Sequence, residues 1–302
     1  MASRSSSMRA QTVLVTGSDG FTGRYLTPVL LDRGYRVVGL VAGERGSSDS
    51  IICDLTDEKS VKDVVAQVRP DYVVHLAGMS YVGENDPEGF YCVNLFGTLN
   101  LIEALSLMDI PPKKILIASS ANVYGTPGVE MIDESICPAP LNHYANSKLA
   151  MEHMVCTWFE RLPIIITRPF NYTGPGQNER FLVPKIVGHF RRQEREIKLG
   201  NLDVSRDFSD VHDVVKCYEA LLLSDVRSTI VNICSGVATS LRDIIKMMNG
   251  IAGYEISVQV DSALVRTSEI PSLMGSNSRL KEIIGFSPQI PIYETLKNMF
   301  LT

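Results

Sequence analysis

Between residues 12 and 32 the chain reads TVLVTGSDGFTGRYLTPVLLD. A short apolar run rich in β-branched residues at 12–15 leads into Gly17, Gly20 and Gly23, and a stretch of helical period follows at 24–32. Strand, glycine turn and helix in that order form a phosphate-binding unit. Gly17 permits the tight turn, Gly20 lets the backbone approach an anion closely, and Gly23 lets helix and strand pack against each other. The helix N-terminus then directs its free N–H groups and positive dipole end at that anion. Glycines present for turning alone would not need this flanking order.

The rest of the chain repeats the alternation. Apolar runs of strand length recur at 36–41, 50–53, 72–76, 114–118, 164–167 and 230–234, with helical patterns at 58–68, 87–108 and 144–159. This predicts an α/β fold, a doubly wound parallel Rossmann sheet. After residue 168 the rhythm breaks into Pro, Gly and polar loops, with helical patterns near 183–192, 240–251 and 279–284. The expected organisation is a disordered tail at 1–10 and a nucleotide-binding domain at 11–170 rejoined by about 207–236. A smaller C-terminal α/β substrate lobe is expected from 171–206 and 237–302.

Composition narrows the partners. The 302 residues carry a net charge of −5 and no long basic run, which argues against nucleic acid. No apolar run reaches membrane-spanning length, and the polar start MASRSSSMRAQ lacks the apolar core of a signal peptide. Six cysteines without C-x-x-C spacing read as free thiols of a reducing cytoplasm, and the five histidines form no ligand-spaced set, so no metal is expected.

Tyr144 and Lys148, in NHYANSKLAMEH, carry the chemistry. Four residues apart on a helix, they lie on one face, one turn apart. A phenol beside an ammonium can transfer a proton, and the positive charge is expected to pull the tyrosine pKa down from about 10. The spacing alone also describes a solvated helix face; the glycine loop upstream gives it weight.

The spacing G-x-x-G-x-x-G joined to Tyr-x-x-x-Lys resembles the extended short-chain dehydrogenase/reductase family, and the resemblance runs over nearly the whole chain. It implies that Gly17, Asp19, Gly20, Phe21 and Gly23 hold a nicotinamide dinucleotide. Asp54 and Leu55 of CDLTD would contact its adenine, and Leu76, Ala77 and Gly78 would mark where it crosses the sheet. Ser120, in IASSANVYG, matches the family's catalytic Ser/Thr, and Lys148 would also hold the nicotinamide ribose. The family's nucleotide-sugar members imply a second set. Asn171 of TRPFNYTGPGQ, and Arg206 and Arg266, would bind the substrate diphosphate, the arginines through paired charge-assisted hydrogen bonds. Phe181, Val183 and Lys185 would border the base and ribose, with Gly200 and Glu269 in the matching strings. As surface residues the two arginines would instead pair with Asp207 and Glu269.

Two positions select among the family's chemistries. Dehydratases place acidic residues directly after the catalytic Thr; here Ala121 and Asn122 stand there. Where an acid would bind the adenine ribose, the end of the second strand reads Val41-Ala42-Gly43-Glu44-Arg45. Arg45 could meet a 2′-phosphate, which favours NADP(H), with NAD(H) as the alternative. The strings are most similar to those of reductases acting on GDP-4-keto-6-deoxy-D-mannose to give GDP-D-rhamnose. The rivals are an NAD-dependent nucleotide-sugar 4-epimerase, a dehydratase and a non-catalytic nucleotide sensor. The surplus apolar residues of 87–108 and of the Tyr144 helix, Phe96 and Leu99 among them, and the family's four-helix pairing imply a homodimer.

Overall fold

A computed structural model describes residues 10–43, 49–81, 86–262 and 270–302. The first half alternates as expected. β1 (Thr12–Thr16), α1 (Phe21–Asp32), β2 (Arg36–Val41), β3 (Ser50–Ile52), α2 (Glu58–Val68) and β4 (Tyr72–His75) come first. α3 (Pro87–Tyr91), α4 (Thr98–Ser106), β5 (Lys114–Ala118), α5 (His143–Cys156) and β6 (Ile164–Pro169) follow. β7 (Asn171–Thr173), α6 (Leu182–Arg191), β8 (Glu196–Leu199) and β9 (Ser205–Asp210) then leave the sheet, and α7 (Val211–Leu223) and β10 (Thr229–Ile233) return to it. The chain closes with β11 (Ala238–Ser240), α8 (Leu241–Ala252), β12 (Ser257–Val260), β13 (Ser272–Leu273), α9 (Ser278–Ile284) and α10 (Ile292–Leu301).

The central sheet has seven strands in the order β10-β6-β5-β4-β1-β2-β3, all parallel. Chain order reverses between β1 and β4, so a crevice opens there above the strands' carboxyl ends. The strands are buried on both faces, which is why they read as continuous apolar runs rather than alternating ones. One face packs α2, α4 and α5 around Leu101, Leu105, Met151 and Val155; the other packs α1, α7 and α9 around Leu26, Leu30, Val214 and Leu280. A separate core around Ile186, Phe190, Ile244 and Leu296 joins α6, α8 and α10. Beside it, β9 pairs with β7, β11 and β13, and β8 pairs with β12. No described helix is long and apolar enough to cross a membrane.

Several helix starts are set by a side chain. Asp57 accepts from the Lys59 and Ser60 N–H groups, Asn142 from Ala145, and Ser240 from Asp243. α1 starts without one: its N-cap is Gly20, and no side chain satisfies its first N–H groups.

The single helix expected over 87–108 is a correction. α3 and α4 are separated by a π-helical turn at Cys92–Gly97. The inserted residue turns Asn94 into the interior, where it bonds both backbone groups of Met79 and the Ser147 hydroxyl.

Gly23 fixes the seat of α1. A Cβ there would lie 2.4 Å from the Gly17 carbonyl oxygen and 2.6 Å from the Ser18 Cα. Gly23→Ala should therefore push α1 off the loop and destabilise the fold by about 1–3 kcal/mol. An unchanged urea midpoint would show that the packing is slack.

Candidate active site

The crevice at the switch point holds a cavity of about 480 Å³. Its floor is the glycine loop. Gly17 takes φ +68°, a left-handed conformation that suits glycine, and its N–H donates to the Leu40 carbonyl at 2.8 Å. The Gly20 N–H donates back to Gly17 at 3.0 Å. Glycine backbone beneath an uncapped helix N-terminus is the cradle a pyrophosphate needs, and side chains at Gly17 or Gly23 would collide with the backbone of Ala77 or of the loop that shapes it. These residues fit a dinucleotide. Asp19 lies exposed on the loop, and Phe21 is half-buried and lines the cavity.

Further along, β2 ends in buried Val41 with no carboxylate at Val41, Ala42 or Gly43. Arg45 lies outside the described residues. Asp54 is exposed and accepts from the Thr56 N–H and hydroxyl, both at 2.8 Å, while Leu55 is buried. At the end of β4, Leu76 and Gly78 line the cavity, and the Ala77 N–H donates to the Thr16 hydroxyl at 3.1 Å.

The same hydroxyl starts a chain of hydrogen bonds that fixes a tautomer. The Thr98 hydroxyl spends its proton on the Asn94 carbonyl at 2.7 Å, so it accepts from His75 Nε2–H at 2.8 Å. His75 Nδ1 is then bare and accepts from Thr16 at 2.7 Å. Burial, reinforced by the Lys148 charge, pushes the His75 pKa down to about 3, so the ring stays neutral.

α5 carries the reacting groups. Tyr144 and Lys148 are both buried, and both line the cavity. The Lys148 ammonium donates to the Ala118 carbonyl at 2.9 Å, and a Cβ on Gly78 would sit 3.2 Å from it. Ser120 ends β5 and hydrogen-bonds the Tyr144 phenol. It also caps the short helical turn Ala121–Tyr124 by accepting from the Asn122 N–H at 3.2 Å. One hydroxyl therefore both caps this turn and lies at the cavity.

The expected lowering of the Tyr144 pKa is overturned. Burial pushes it up to about 12, against the opposing hydrogen bond from Ser120, and burial brings Lys148 down to about 8, against the Glu152 charge. Desolvation disfavours tyrosinate and ammonium alike, and it is the largest cause of both shifts. Tyr144 therefore holds its proton at neutral pH, as an acid must.

The opposite wall is built by the segment after β6 and the loop ahead of α6: Asn171, Tyr172, Asn178, Arg180 and Phe181 line it. Val183 lies instead in the lobe core, and Lys185 donates to the Lys198 carbonyl at 2.9 Å; neither lines the cavity. Gly200 follows β8 half-buried, and Arg206 on β9 donates to the Ser205 carbonyl at 2.9 Å, also away from the lining. Arg266 and Glu269 lie outside the described residues. Asn94, Arg24 and Arg180 escaped sequence reasoning. Arg180 sits over the rings of Tyr81 and Phe181, at 5.1 and 5.3 Å, and its signal was its place directly before Phe181.

A second cavity, of about 470 Å³, lies at the amino ends of β4 and β5. Its buried cation, Lys114, is committed to the carbonyls of Ser224 and Val226, so the chemistry belongs to the first.

With this geometry the comparisons agree. A family model described as GDP-mannose 4,6 dehydratase matches residues 14–299. The chain is 35% identical over 274 residues to a GDP-6-deoxy-D-talose 4-dehydrogenase of Aggregatibacter actinomycetemcomitans, covering 90% of this chain and 91% of that one. It is 35% identical over 298 residues to a GDP-6-deoxy-D-mannose reductase of Pseudomonas aeruginosa, covering 95% of each. The structure of RMD from Pseudomonas aeruginosa complexed with NADPH superposes with a TM-score of 0.84 at 33% identity, over 97% of both chains. A glycine-loop cradle facing a Ser-Tyr-Lys set fits the short-chain dehydrogenases and reductases, and the relatives place the chain in their extended, nucleotide-sugar branch. Within that branch the chain belongs to the GDP-mannose 4,6 dehydratase family.

Tyr144→Phe should lower turnover by about 10²- to 10⁴-fold, the usual cost of losing a positioned acid, while dinucleotide binding persists. In the unsubstituted protein the rate should fall as pH rises through about 8, where Lys148 loses its proton. A rate flat from pH 7 to 10 would remove Lys148 from the mechanism.

Proposed function

We propose that this chain is an NADPH-dependent reductase of the 4-keto group of GDP-4-keto-6-deoxy-D-mannose, forming GDP-D-rhamnose. One observation carries the reading. Among the described residues the cavity is lined by three cations, Arg24, Lys148 and Arg180, and by no Asp, Glu or His. Expelling water from a sugar needs an acid and a base besides the redox step. Here Ala121 is buried and Asn122, which does line the cavity, cannot carry a proton at neutral pH. What remains to give a proton is the Tyr144 phenol beside Ser120, since the other phenol of the wall, Tyr172, is hydrogen-bonded to Thr22 at 2.7 Å. The cations suit two diphosphate-bearing ligands.

The bound nicotinamide supplies the hydride. Tyr144 delivers its proton to the oxygen of the carbonyl being reduced. Ser120 donates a hydrogen bond to that same oxygen, where negative charge develops. Lys148 holds the nicotinamide ribose and keeps a positive charge beside the phenol. Gly17, Gly20 and Gly23 seat the pyrophosphate, and Asn171 and Arg180 reach the sugar nucleotide. NADP(H) is favoured over NAD(H) because β2 ends without an acid for the ribose hydroxyls. The NADPH-complexed relative supports the same choice.

The decisive assay offers NADPH or NADH with GDP-linked 4-keto-6-deoxy sugars and identifies the product by NMR. Stoichiometric NADPH oxidation and GDP-D-rhamnose are expected. Interconversion of two sugars without net cofactor oxidation would make the protein an epimerase.

The active form proposed is a homodimer paired through α4 and α5. Phe96, Leu107 and Ile110 stand 53%, 70% and 81% exposed at this layer, an apolar excess for an isolated chain. Phe96→Glu should yield monomers by sedimentation and lower activity; a fully active monomer would reject the pairing.

A further inference from the structure

The end of β5 and one face of α5 are fastened together at three successive points. Ser120 bonds Tyr144, the Ala118 carbonyl accepts from Lys148 at 2.9 Å, and the Ser119 hydroxyl donates to Glu152 Oε1 at 2.5 Å. The three α5 residues are four apart, so they form one stripe. Two of them reach the cavity; Glu152 does not line it.

Glu152 is 1% exposed, and a carboxyl group buried so deeply needs polar partners. Its partner is Arg168 at the end of β6. Arg168 Nε donates to both carboxylate oxygens at 3.0 and 3.1 Å, and Nη2 to Oε2 at 2.5 Å. Arg168 is buried in turn, with its guanidinium 4.7 Å from the centre of the Tyr124 ring. The Ser119 N–H donates to the Thr167 carbonyl at 2.7 Å. Glu152 thus joins α5, β5 and β6 directly beneath the reacting groups.

The charges around Lys148 are few. His75 from β4 is neutral, and Tyr144 on α5 holds its proton. The residues of β5 at this point, Ala118, Ser119 and Ser120, do not ionise in this range. Arg168, Tyr124 and Cys156 surround Glu152 rather than Lys148. Glu152 is the anion that supports the ammonium.

We propose that Glu152 is a positioning residue: clamped by Arg168 and Ser119, it sets its carboxyl group one helical turn from Lys148 and keeps the strand end bearing Ser120 in register with Tyr144. The inference rests on the reductase reading only for its activity readout.

The test begins with the cofactor-free protein. Lysine labelled with ¹³C at the ε-carbon is titrated by NMR, with the Lys148 signal assigned by its absence in Lys148→Ala. Glu152→Gln preserves size and the acceptor for Ser119 while removing the charge. The Lys148 midpoint should shift to lower pH. Because Glu152→Gln leaves a buried arginine unpaired, the double variant Glu152→Gln/Arg168→Met is titrated alongside; it should show the same direction. Activity gives the second readout. In Glu152→Gln, turnover should fall several-fold at alkaline pH and recover as the pH is lowered, with the sugar-nucleotide KM little changed. A merely structural role predicts loss at every pH. An unchanged Lys148 midpoint in either folded variant overturns the proposal. If the unsubstituted enzyme reduces no 4-keto sugar nucleotide, the reductase reading fails while the titration still decides the role of Glu152.

Discussion

Removal of water from Tyr144 and Lys148 governs the chemistry available to this cleft. Both side chains sit on the first turns of α5, pressed against the end of β5, and burial moves their pKa values in opposite directions, to about 12 and about 8. Each shift favours the neutral form of its group. The phenol therefore keeps its proton with certainty at neutral pH, while the ammonium keeps its charge with little margin. A site arranged this way enters the reaction with its phenol protonated. That asymmetry suits reduction of a carbonyl, where the oxygen must gain a proton as the carbon gains hydride.

The sheet serves this arrangement. Parallel strands place Thr16, His75 and Ala118 at one edge, and the chain's reversal of direction between β1 and β4 leaves the crevice open above them. The glycine loop and uncapped α1 supply the anion seat on one side. The loop ahead of α6 supplies Arg180 and Phe181 on the other. The second phenol, Tyr172, is hydrogen-bonded to Thr22 at 2.7 Å, and among the described residues neither wall contributes a carboxylate or a histidine.

Much of this was legible in the sequence because it depends on local pattern. The glycine spacing, the apolar runs buried on both sheet faces, and the four-residue spacing of Tyr144 and Lys148 each follow from one stretch of chain. What escaped depends on contacts between distant stretches. The π-helical turn at 92–97 looks like ordinary apolar helix, since only the bonds from Asn94 to Met79 and Ser147 reveal its purpose. α7 was hidden by its own burial, with apolar residues on more than one face, and α10 is held by the partner surfaces of α6 and α8. Val183 and Lys185 carried the right residue types, but α6 turns them into the lobe and leaves Arg180 and Phe181 at the cavity. The direction of the Tyr144 shift was misjudged because spacing reports proximity and says nothing of desolvation.

The central claim is that Tyr144 delivers the proton and that, among the described residues, the cleft has no carboxylate or histidine to take one from the sugar. It can be measured by running the reduction in D₂O with NADPH and locating deuterium in the sugar by NMR and mass spectrometry. The account predicts hydrogen from the cofactor at the former carbonyl carbon and no enzyme-dependent deuterium on the neighbouring carbons. Deuterium appearing on a carbon beside the carbonyl, beyond that acquired without enzyme, would require a second proton-transfer group in the cleft and would contradict the account.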